Sequence, residues 1–524
     1  MGEQDDVATI GTALGDLDAV TAGLRGHVWR MLARPDLTGT TTVLRAAAAD
    51  ALRVAHRRLA HGDPEGAIRA LDTGRGLAVF AATEVRTVVD HLDRAGKPDL
   101  ARKWRAAAGV PDPHRLPAEL RREVLTVLSA QSPAAGLLAP PGFGEIQRAL
   151  AAVDADALVY LMPGHAVIAP AAGPARRLRL PYLSGPIPAT AGSAGFDRLC
   201  GWAWHAAIGP LVSALTEPPL SCPPGPADAA LTPVQSVMPP PPCGRPYRVV
   251  LVPLGNLARI PWSAARRGDG TYGIELIAIS QAASARMLCH SAAQPRVAPS
   301  AAGLVVGDPG TDGRADDLPA ARREAYAIGR SLYPAARYVG RRPDGTASAS
   351  GAGTLDQLRA WLTTTSPAAG STLHLACPGL PRAGSDRPEA YLLAAGGERL
   401  TAGEILALPA RAQRRPIDLV VLAAGRPVPG CDEAYSLDTA FLAAGVRSVV
   451  APRWGVPDGA ASALLFMVHW FRRAGRPAWA ALRDAQLWML DPARMIPAEM
   501  PPELAPPPAA ADPAGWAAFV HSGR

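Results

Sequence analysis

Two hydrophobic patterns alternate along the chain from Tyr247 onward. Short runs rich in Val, Leu and Ile predict buried strands, and segments in which apolar residues recur every three or four positions predict helices. The predicted strands cover residues 248–252, 275–279, 303–306, 372–376, 418–423 and 447–451, and the predicted helices cover residues 320–332, 354–362, 435–444, 458–473 and 479–490. This alternation is typical of a three-layer α/β sandwich with a mostly parallel central sheet.

The N-terminal part of the chain has a helical pattern over residues 42–108. Its apolar positions recur at helical spacing, at Leu44, Leu52, Ala55 and Leu59. Asp63-Pro64 then predicts the start of a new helix, with Asp63 as the N-cap and Pro64 at the first helical position. Two helices joined by a short turn are the unit of tetratricopeptide-like repeats, and a plain helical bundle gives the same pattern. Both interpretations stay open for a helical region over residues 1–145.

Residues 146–524 are expected to form the α/β domain. A hairpin is predicted near its start, with strands over 157–161 and 165–168 around Pro163-Gly164. Two proline-rich segments, 216–246 and 497–513, interrupt the domain. Because proline lacks the backbone donor that a ladder or a helix needs, the first segment is expected to be an extended, mobile connector.

Charge and cysteine usage narrow the function classes. The net charge of +7 comes almost entirely from arginines, which are scattered along the chain. This distribution favours a solvated surface over a nucleic-acid-binding face, which stays the weaker alternative. The six cysteines include no CxxC pair, which favours reduced thiols. The acidic N-terminus has no signal-peptide pattern and no apolar run approaches about 18 residues, so a cytoplasmic protein without membrane contact is expected.

Two of the predicted strands end in abrupt breaks. The strand over 372–376 is followed by Cys377-Pro378-Gly379, and the strand over 418–423 by Ala424-Gly425-Arg426-Pro427. In open α/β sheets, ligands bind in the crevice outside the carboxyl ends of the strands. These two breaks therefore form the candidate functional site.

Several motifs near these breaks resemble the CHAT-domain family of caspase- and separase-like cysteine peptidases. They occur in the family's order at residues 318–324, 374–379, 419–425, 441–446 and 454–458. The resemblance implies a caspase-like fold in which a Cys thiolate attacks a peptide carbonyl and a His on the neighbouring strand transfers the protons. It implies a protein or peptide as the partner and no cofactor.

Both catalytic positions that the resemblance implies are changed. The family's His falls at Pro378 and its Cys at Gly425, and neither residue carries a nucleophile or a transferable proton. The sequence therefore predicts a catalytically degenerate peptidase that acts as a protein-binding, peptide-binding or regulatory module. The alternative is an active endopeptidase that uses Cys431, on the loop after the second strand, as a displaced nucleophile.

Two further residues near the first break are fallback candidates for catalysis. His374 lies about 13 Å before position 378 along a strand, which is too far for direct proton transfer. We therefore expect it to be buried and hydrogen-bonded beneath the site. Cys377 is expected on the opposite face of the sheet from His374, as a core residue, and this excludes a metal site shared by the two.

Trp454 and Asp458 are candidates for a substrate pocket. In related arginine-cleaving proteases, an acidic residue lines the pocket for the basic side chain of the substrate, and Asp458, the last residue of the motif at 454–458, is a candidate for this role. Its position before the apolar segment 461–471 also predicts that it is the N-cap of the helix over 458–473. The sequence does not decide between these two roles.

Overall fold

An eleven-stranded sheet organises the protein. The computed structural model describes residues 37–84, 89, 92–93, 95–108, 117–130, 140–189, 192–216, 245–379, 390–406, 408, 415–423, 436–507 and 512–524. The strands are β1 (Ala157–Met162), β2 (Gly164–Pro170), β3 (Arg176–Leu180), β4 (Tyr247–Pro253), β5 (Ile277–Gln281), β6 (Gly303–Gly307), β7 (Arg337–Gly340), β8 (Thr372–Ala376), β9 (Tyr391–Leu393), β10 (Arg399–Thr401), β11 (Leu419–Leu422), β12 (Ser448–Pro452) and β13 (Phe519–Gly523). β9 and β10 form a separate antiparallel pair.

The strand order in the large sheet is β3-β2-β1-β4-β5-β13-β12-β11-β8-β6-β7. The strands β12, β11, β8, β6 and β7 run parallel to one another. The strands β1, β4, β5 and β13 form a second parallel block, and β13 is antiparallel to β12. The two blocks run in opposite directions, so their carboxyl ends lie at opposite ends of the strands. β8 and β11 have their carboxyl ends on the same side of the sheet as those of β6, β7 and β12.

Helices cover both faces of the sheet, which gives the expected three layers. They are α1 (Leu37–Ala60), α2 (Pro64–Glu84), α3 (Pro98–Ala108), α4 (Ala118–Ala130), α5 (Phe143–Ala152), α6 (Gly192–Ala203), α7 (Gly209–Thr216), α8 (Gly273–Leu276), α9 (Ala285–Ala292), α10 (Pro319–Ala327), α11 (Leu355–Thr363), α12 (Ala402–Leu406), α13 (Leu437–Ala443), α14 (Ser462–Arg473), α15 (Ala478–Leu490) and α16 (Pro513–Trp516). Leu373 and Leu375 of β8 face a core that includes α11 and α13. Val421 and Val450 face α14 and α15. Because both faces are covered, every residue of β6, β8, β11 and β12 is buried.

The N-terminal helices share a hydrophobic core with one half of the sheet. Asp63 Oδ1 accepts a hydrogen bond from the Gly66 backbone at 2.7 Å, so α2 begins at Pro64 with the predicted cap. α1 and α2 form a helical hairpin whose apolar side packs against β1, β2 and β4. Asp72 Oδ1 lies 2.9 Å from the Tyr160 hydroxyl, which donates to it, and 2.6 Å from the Ala285 backbone N–H. These buried contacts join the hairpin to the sheet.

Three sequence predictions differ from the structure. The segment predicted as a strand over 275–279 begins as the last turn of α8, and β5 starts two residues later, at Ile277. The helix predicted over 458–473 begins at Ser462, with Ala461 at the N-cap, so Asp458 does not cap it. The helix predicted over 320–332 is α10 followed by a π-helical turn, Ile328–Leu332. In the described part of the chain, no helix is both long enough and apolar enough to cross a bilayer.

Candidate functional site

The candidate site lies at the carboxyl edge shared by β8 and β11. The two strands are adjacent and parallel, with Leu375 opposite Leu422. The Ala423 backbone N–H donates to the Leu375 carbonyl at 3.0 Å, so the strands stay side by side up to the point where the chain turns away. Two side chains placed just beyond these ends would face each other, as the peptidase chemistry requires. Gly425 and Cys431 lie in the segment 424–435, outside the described residues.

Pro378 occupies the first of the two positions. It is buried two residues beyond the end of β8. Its carbonyl accepts a hydrogen bond from the Leu393 backbone at 2.9 Å, and Gly379 bridges to Leu392, so this segment is fixed against β9. A pyrrolidine ring has no proton to give and no lone pair to accept one. The position expected to hold an acid–base group therefore holds backbone and hydrocarbon.

His374 lies inside the protein, in the middle of β8. It is fully buried and pairs in register with Val305 of β6 and Val421 of β11. Its Nδ1 is 3.1 Å from His469 Nε2 of α14, and its Nε2 is 3.2 Å from Glu324 Oε1 of α10. Both ring nitrogens are thus engaged beneath the site, which is the buried position expected from the sequence.

The contacts of His374 continue as a buried polar chain. His469 Nδ1 lies 3.1 Å from the Tyr333 hydroxyl. Burial lowers the pKa of His469 well below its ordinary value, with the neighbouring His374 acting in the same direction. Burial raises the pKa of Tyr333 to about 12, and burial also raises the pKa of Glu324, which the bond to His374 partly opposes. These shifts favour the neutral forms of His469, Tyr333 and Glu324, and the contacts of the chain tie α10, β8 and α14 together.

Cys377 points to the face of the sheet opposite His374. It is buried in the core that contains Leu373 and Leu375. Burial raises the pKa of the Cys377 thiol, and the charge of Asp308 acts in the same direction. A neutral, enclosed thiol is a poor nucleophile. The two side chains cannot hold one metal ion between them, since the sheet separates them.

The two candidate pocket residues both have structural contacts. The indole N–H of Trp454 donates to the Ala514 carbonyl at 2.9 Å, and its ring packs edge-to-face on Phe196 at 5.8 Å. The carboxylate oxygens of Asp458 accept the backbone N–H groups of Ala320 at 2.8 Å and Ala321 at 2.9 Å. Asp458 therefore caps α10, a different helix from the one that the sequence indicated.

A charged cluster that the sequence reasoning missed lies beyond the ends of β6 and β7. Asp308 is fully buried, and its Oδ2 lies 2.7 Å from Arg322 Nη2 and 2.6 Å from Arg341 Nη2. Asp317, which is 63% exposed, also pairs with Arg341 at 2.8 Å. The sequence contained one indication of this cluster, because Asp308 directly follows β6 and Arg341 directly follows β7. Nothing in the local pattern indicated that these strands are neighbours.

The comparison with protein families agrees with the geometry. The layered α/β fold with a large, mostly parallel central sheet fits the caspase-like architecture. Residues 199–524, more than half of the chain, match the family model of the CHAT domain. The protein belongs to this family. The comparison with curated proteins finds no match.

The family match does not include the first strands of the sheet. β1, β2 and β3 precede residue 199, yet they extend the same sheet through the pairing of β1 with β4. The sheet and the helical hairpin packed on it therefore extend beyond the matched residues.

Proposed function

We propose that this protein is a catalytically degenerate CHAT-domain protein that binds a protein or peptide in the crevice beside β8 and β11. The observation that carries the proposal is Pro378, a residue unable to transfer protons at the place where the family has its His. The sheet around it is intact, with β8 and β11 paired in full register. An intact crevice without an acid–base group can hold a peptide but cannot cleave it.

The neighbouring residues support the same proposal. His374 is held by Glu324 and His469, and Cys377 is enclosed on the other face. The free cysteines among the described residues, Cys200, Cys289 and Cys377, form no disulfides, which agrees with a reducing, cytoplasmic environment. We place the helical region at residues 1–145 and the CHAT domain at 146–524, and propose that the helical region offers a second binding surface.

Peptidase assays test the absence of catalysis. Purified protein should not cleave a library of fluorogenic peptides with any residue before the scissile bond, with or without a thiol reductant. A peptide probe with an electrophilic warhead should label no cysteine selectively. Selective labelling of Cys431 that disappears in Cys431→Ala would overturn the proposal in favour of a displaced nucleophile.

Photo-crosslinking in the native cell tests the binding function. A photoreactive amino acid at Arg342, exposed beyond the carboxyl end of β7, reports on the crevice edge. A matched probe at Ala368, exposed before the amino end of β8, reports on the opposite edge. We expect a discrete crosslinked protein from position 342 and none of the same mass from position 368. Equal crosslinking from both positions, or none from 342, would contradict a crevice-binding module.

The nucleic-acid alternative has its own test. Binding that rests on scattered arginines would be retained on DNA or RNA at low salt and fall steeply as salt rises, because phosphate contacts release counterions. We expect no such retention.

A further inference from the structure

Basic side chains from three elements meet at the β3 edge of the sheet, in the half away from the crevice. His56 of α1 and His165 of β2 have ring centroids 5.6 Å apart, with the rings inclined by 68°. Arg179 of β3 is the direct cross-strand partner of His165, which places their Cβ atoms about 5 Å apart. Arg177, two residues earlier, lies on the same face of β3. We call these four residues the basic cluster.

The basic cluster contains no negative charge. The pKa of His165 is lowered first by burial and then by the charges of His56, Arg177 and Arg179, against which only the Pro163 carbonyl acts. Burial also lowers the pKa of His56. In the described part of the chain, no carboxylate forms an ion pair with any of the four side chains.

Two other ionisable side chains at this end of α1, Arg58 and His61, have partners of their own. Arg58 lies 2.8 Å from Asp63, whose other carboxylate oxygen caps α2. His61 Nδ1 contacts the Arg57 carbonyl at 2.8 Å. The carboxylate between α1 and α2 is therefore neutralised by its own partner and does not compensate the basic cluster.

Protection of the sheet edge explains only part of this arrangement. Charged residues on an edge strand discourage pairing with other chains, and Arg177 Nη1 donates to the Leu59 carbonyl at 2.8 Å in the last turn of α1. Neither the protection of the edge strand nor the hydrogen bond of Arg177 requires a histidine at position 56 or 165. Two half-buried imidazoles held face to edge beside two guanidinium groups repel one another once protonated, and an anion placed between them removes that repulsion.

We propose that the basic cluster is a binding site for a doubly charged oxyanion of the phosphate-monoester class. Arg177 and Arg179 supply planar guanidinium groups, which pair with phosphate oxygens in a bidentate manner. His56 and His165 supply ring N–H donors and take up protons as the anion enters. The Arg177 bond to Leu59 uses one of its five donors, which leaves the others for a ligand. The site lies on the opposite block of the sheet from Pro378 and is independent of the function proposed for the crevice.

Calorimetric titration of the full chain tests this site, with sulfate as the first probe. Sulfate stays a dianion between about pH 6 and pH 8, so a change in its affinity reports protonation of the protein. A rise of one unit in the pKa of one imidazole on binding tightens the complex by at most about tenfold, and this limit is reached only below the pKa of the free protein, so near pH 6 both imidazoles together supply about tenfold. We expect sulfate to bind about tenfold more tightly near pH 6 than near pH 8, with proton uptake from the buffer, and phenyl phosphate to bind at the same site.

Two pairs of variants assign the binding to the basic cluster. Arg179→Gln should weaken sulfate binding about tenfold, since one charge-assisted contact is lost. His165→Gln should reduce the pH dependence by about half on a logarithmic scale, because only His56 is then left to take up a proton. The matched controls Arg323→Gln and His205→Gln change exposed residues elsewhere and should leave binding unaltered. Because Arg179 is exposed, its variant keeps the test valid if His165→Gln fails to fold.

Three results would overturn the proposal. The first is sulfate affinity that is equal in the wild type and in Arg179→Gln, which would show an adventitious ion only. The second is benzoate binding as tightly as phenyl phosphate, which would point to a monocarboxylate. The third is retention of single-stranded DNA that depends on Arg179 but is not displaced by inorganic phosphate, which would assign the surface to nucleic acid.

Discussion

Replacing Asp308 by Asn removes a buried negative charge without changing the backbone that the position requires. Asp308 has a φ of 41°, in the left-handed region, and Asn is among the residues that tolerate this region best. Its Oδ2 accepts from Leu318 N at 3.1 Å, Arg322 Nη2 at 2.7 Å and Arg341 Nη2 at 2.6 Å. An Asn carbonyl can keep part of these hydrogen bonds, so the substitution mainly measures the effect of removing the charge.

The expected loss of stability follows from the burial of the ion pairs that Asp308 forms with Arg322 and Arg341. Removing one partner of a buried ion pair costs about 3–5 kcal/mol, because the other charge is left uncompensated. Arg322 has 8% of its side chain exposed and Arg341 has 19%, and both keep Asp317 as a second partner, at 3.4 Å and 2.8 Å. We therefore expect Asp308→Asn to lower the free energy of unfolding by about 3 kcal/mol, at the lower end of this range.

Urea unfolding of the wild type and two variants measures this loss. Asp312→Asn is the matched control, since Asp312 also has a positive φ, of 53°, but is exposed on the same loop. Its effect should stay within about 0.5 kcal/mol, as for other surface substitutions. Arg322→Met should cost much less in the Asp308→Asn background than in the wild type. A loss below about 1 kcal/mol for Asp308→Asn, or additive effects of the two substitutions, would refute the reasoning.

Two further predictions concern the helices that hold β8. Asp458→Ala leaves two N–H groups of α10 uncapped and should destabilise the protein by about 1 kcal/mol, with Asp458→Asn losing less. An unchanged unfolding midpoint in Asp458→Ala would show that the cap contributes nothing. His469 has a folded-state pKa well below its ordinary value of 6.5, so the unfolded state binds more protons below about pH 6.5 and the stability falls as the pH falls. The titration of His469 alone changes the free energy of unfolding by up to about 1.4 kcal/mol per pH unit. His469→Gln should flatten the stability curve by that slope between about pH 6 and pH 5, and parallel curves for the wild type and the variant would contradict a neutral buried imidazole.

The structure corrects the predicted role of Asp458. Asp458 has the sequence context of a cap for the helix that follows it, but its carboxylate binds Ala320 and Ala321, 138 and 137 residues away in the chain. A helix N-terminus accepts any carboxylate that reaches its free N–H groups. The distant partner is set by how α10 and α14 pack, which a local pattern does not contain.

The strands show where local pattern is sufficient and where it is not. The segment 372–376 is predicted with the bounds that β8 has, because a short apolar run closed by Pro378 and Gly379 marks a buried strand. β13 was not predicted as a strand, and its sequence, Phe-Val-His-Ser-Gly, is short and partly polar. It is stabilised by its neighbours, with β12 antiparallel on one side and β5 parallel on the other. Tertiary pairing overrides weak intrinsic preference.

The sequence by itself determined the alternation of strands and helices and indicated the family, and it predicts a site without a catalytic dyad. Pro378 and Gly425 lack a transferable proton and a nucleophile wherever the chain places them, because that property belongs to the side chain. The tertiary structure alone decided that His374 meets Glu324 and His469, that two arginines enclose Asp308, and that four basic side chains gather at the edge of β3. These contacts join residues far apart in sequence, and the energy of a buried charge or hydrogen bond depends on the partner that packing brings within reach.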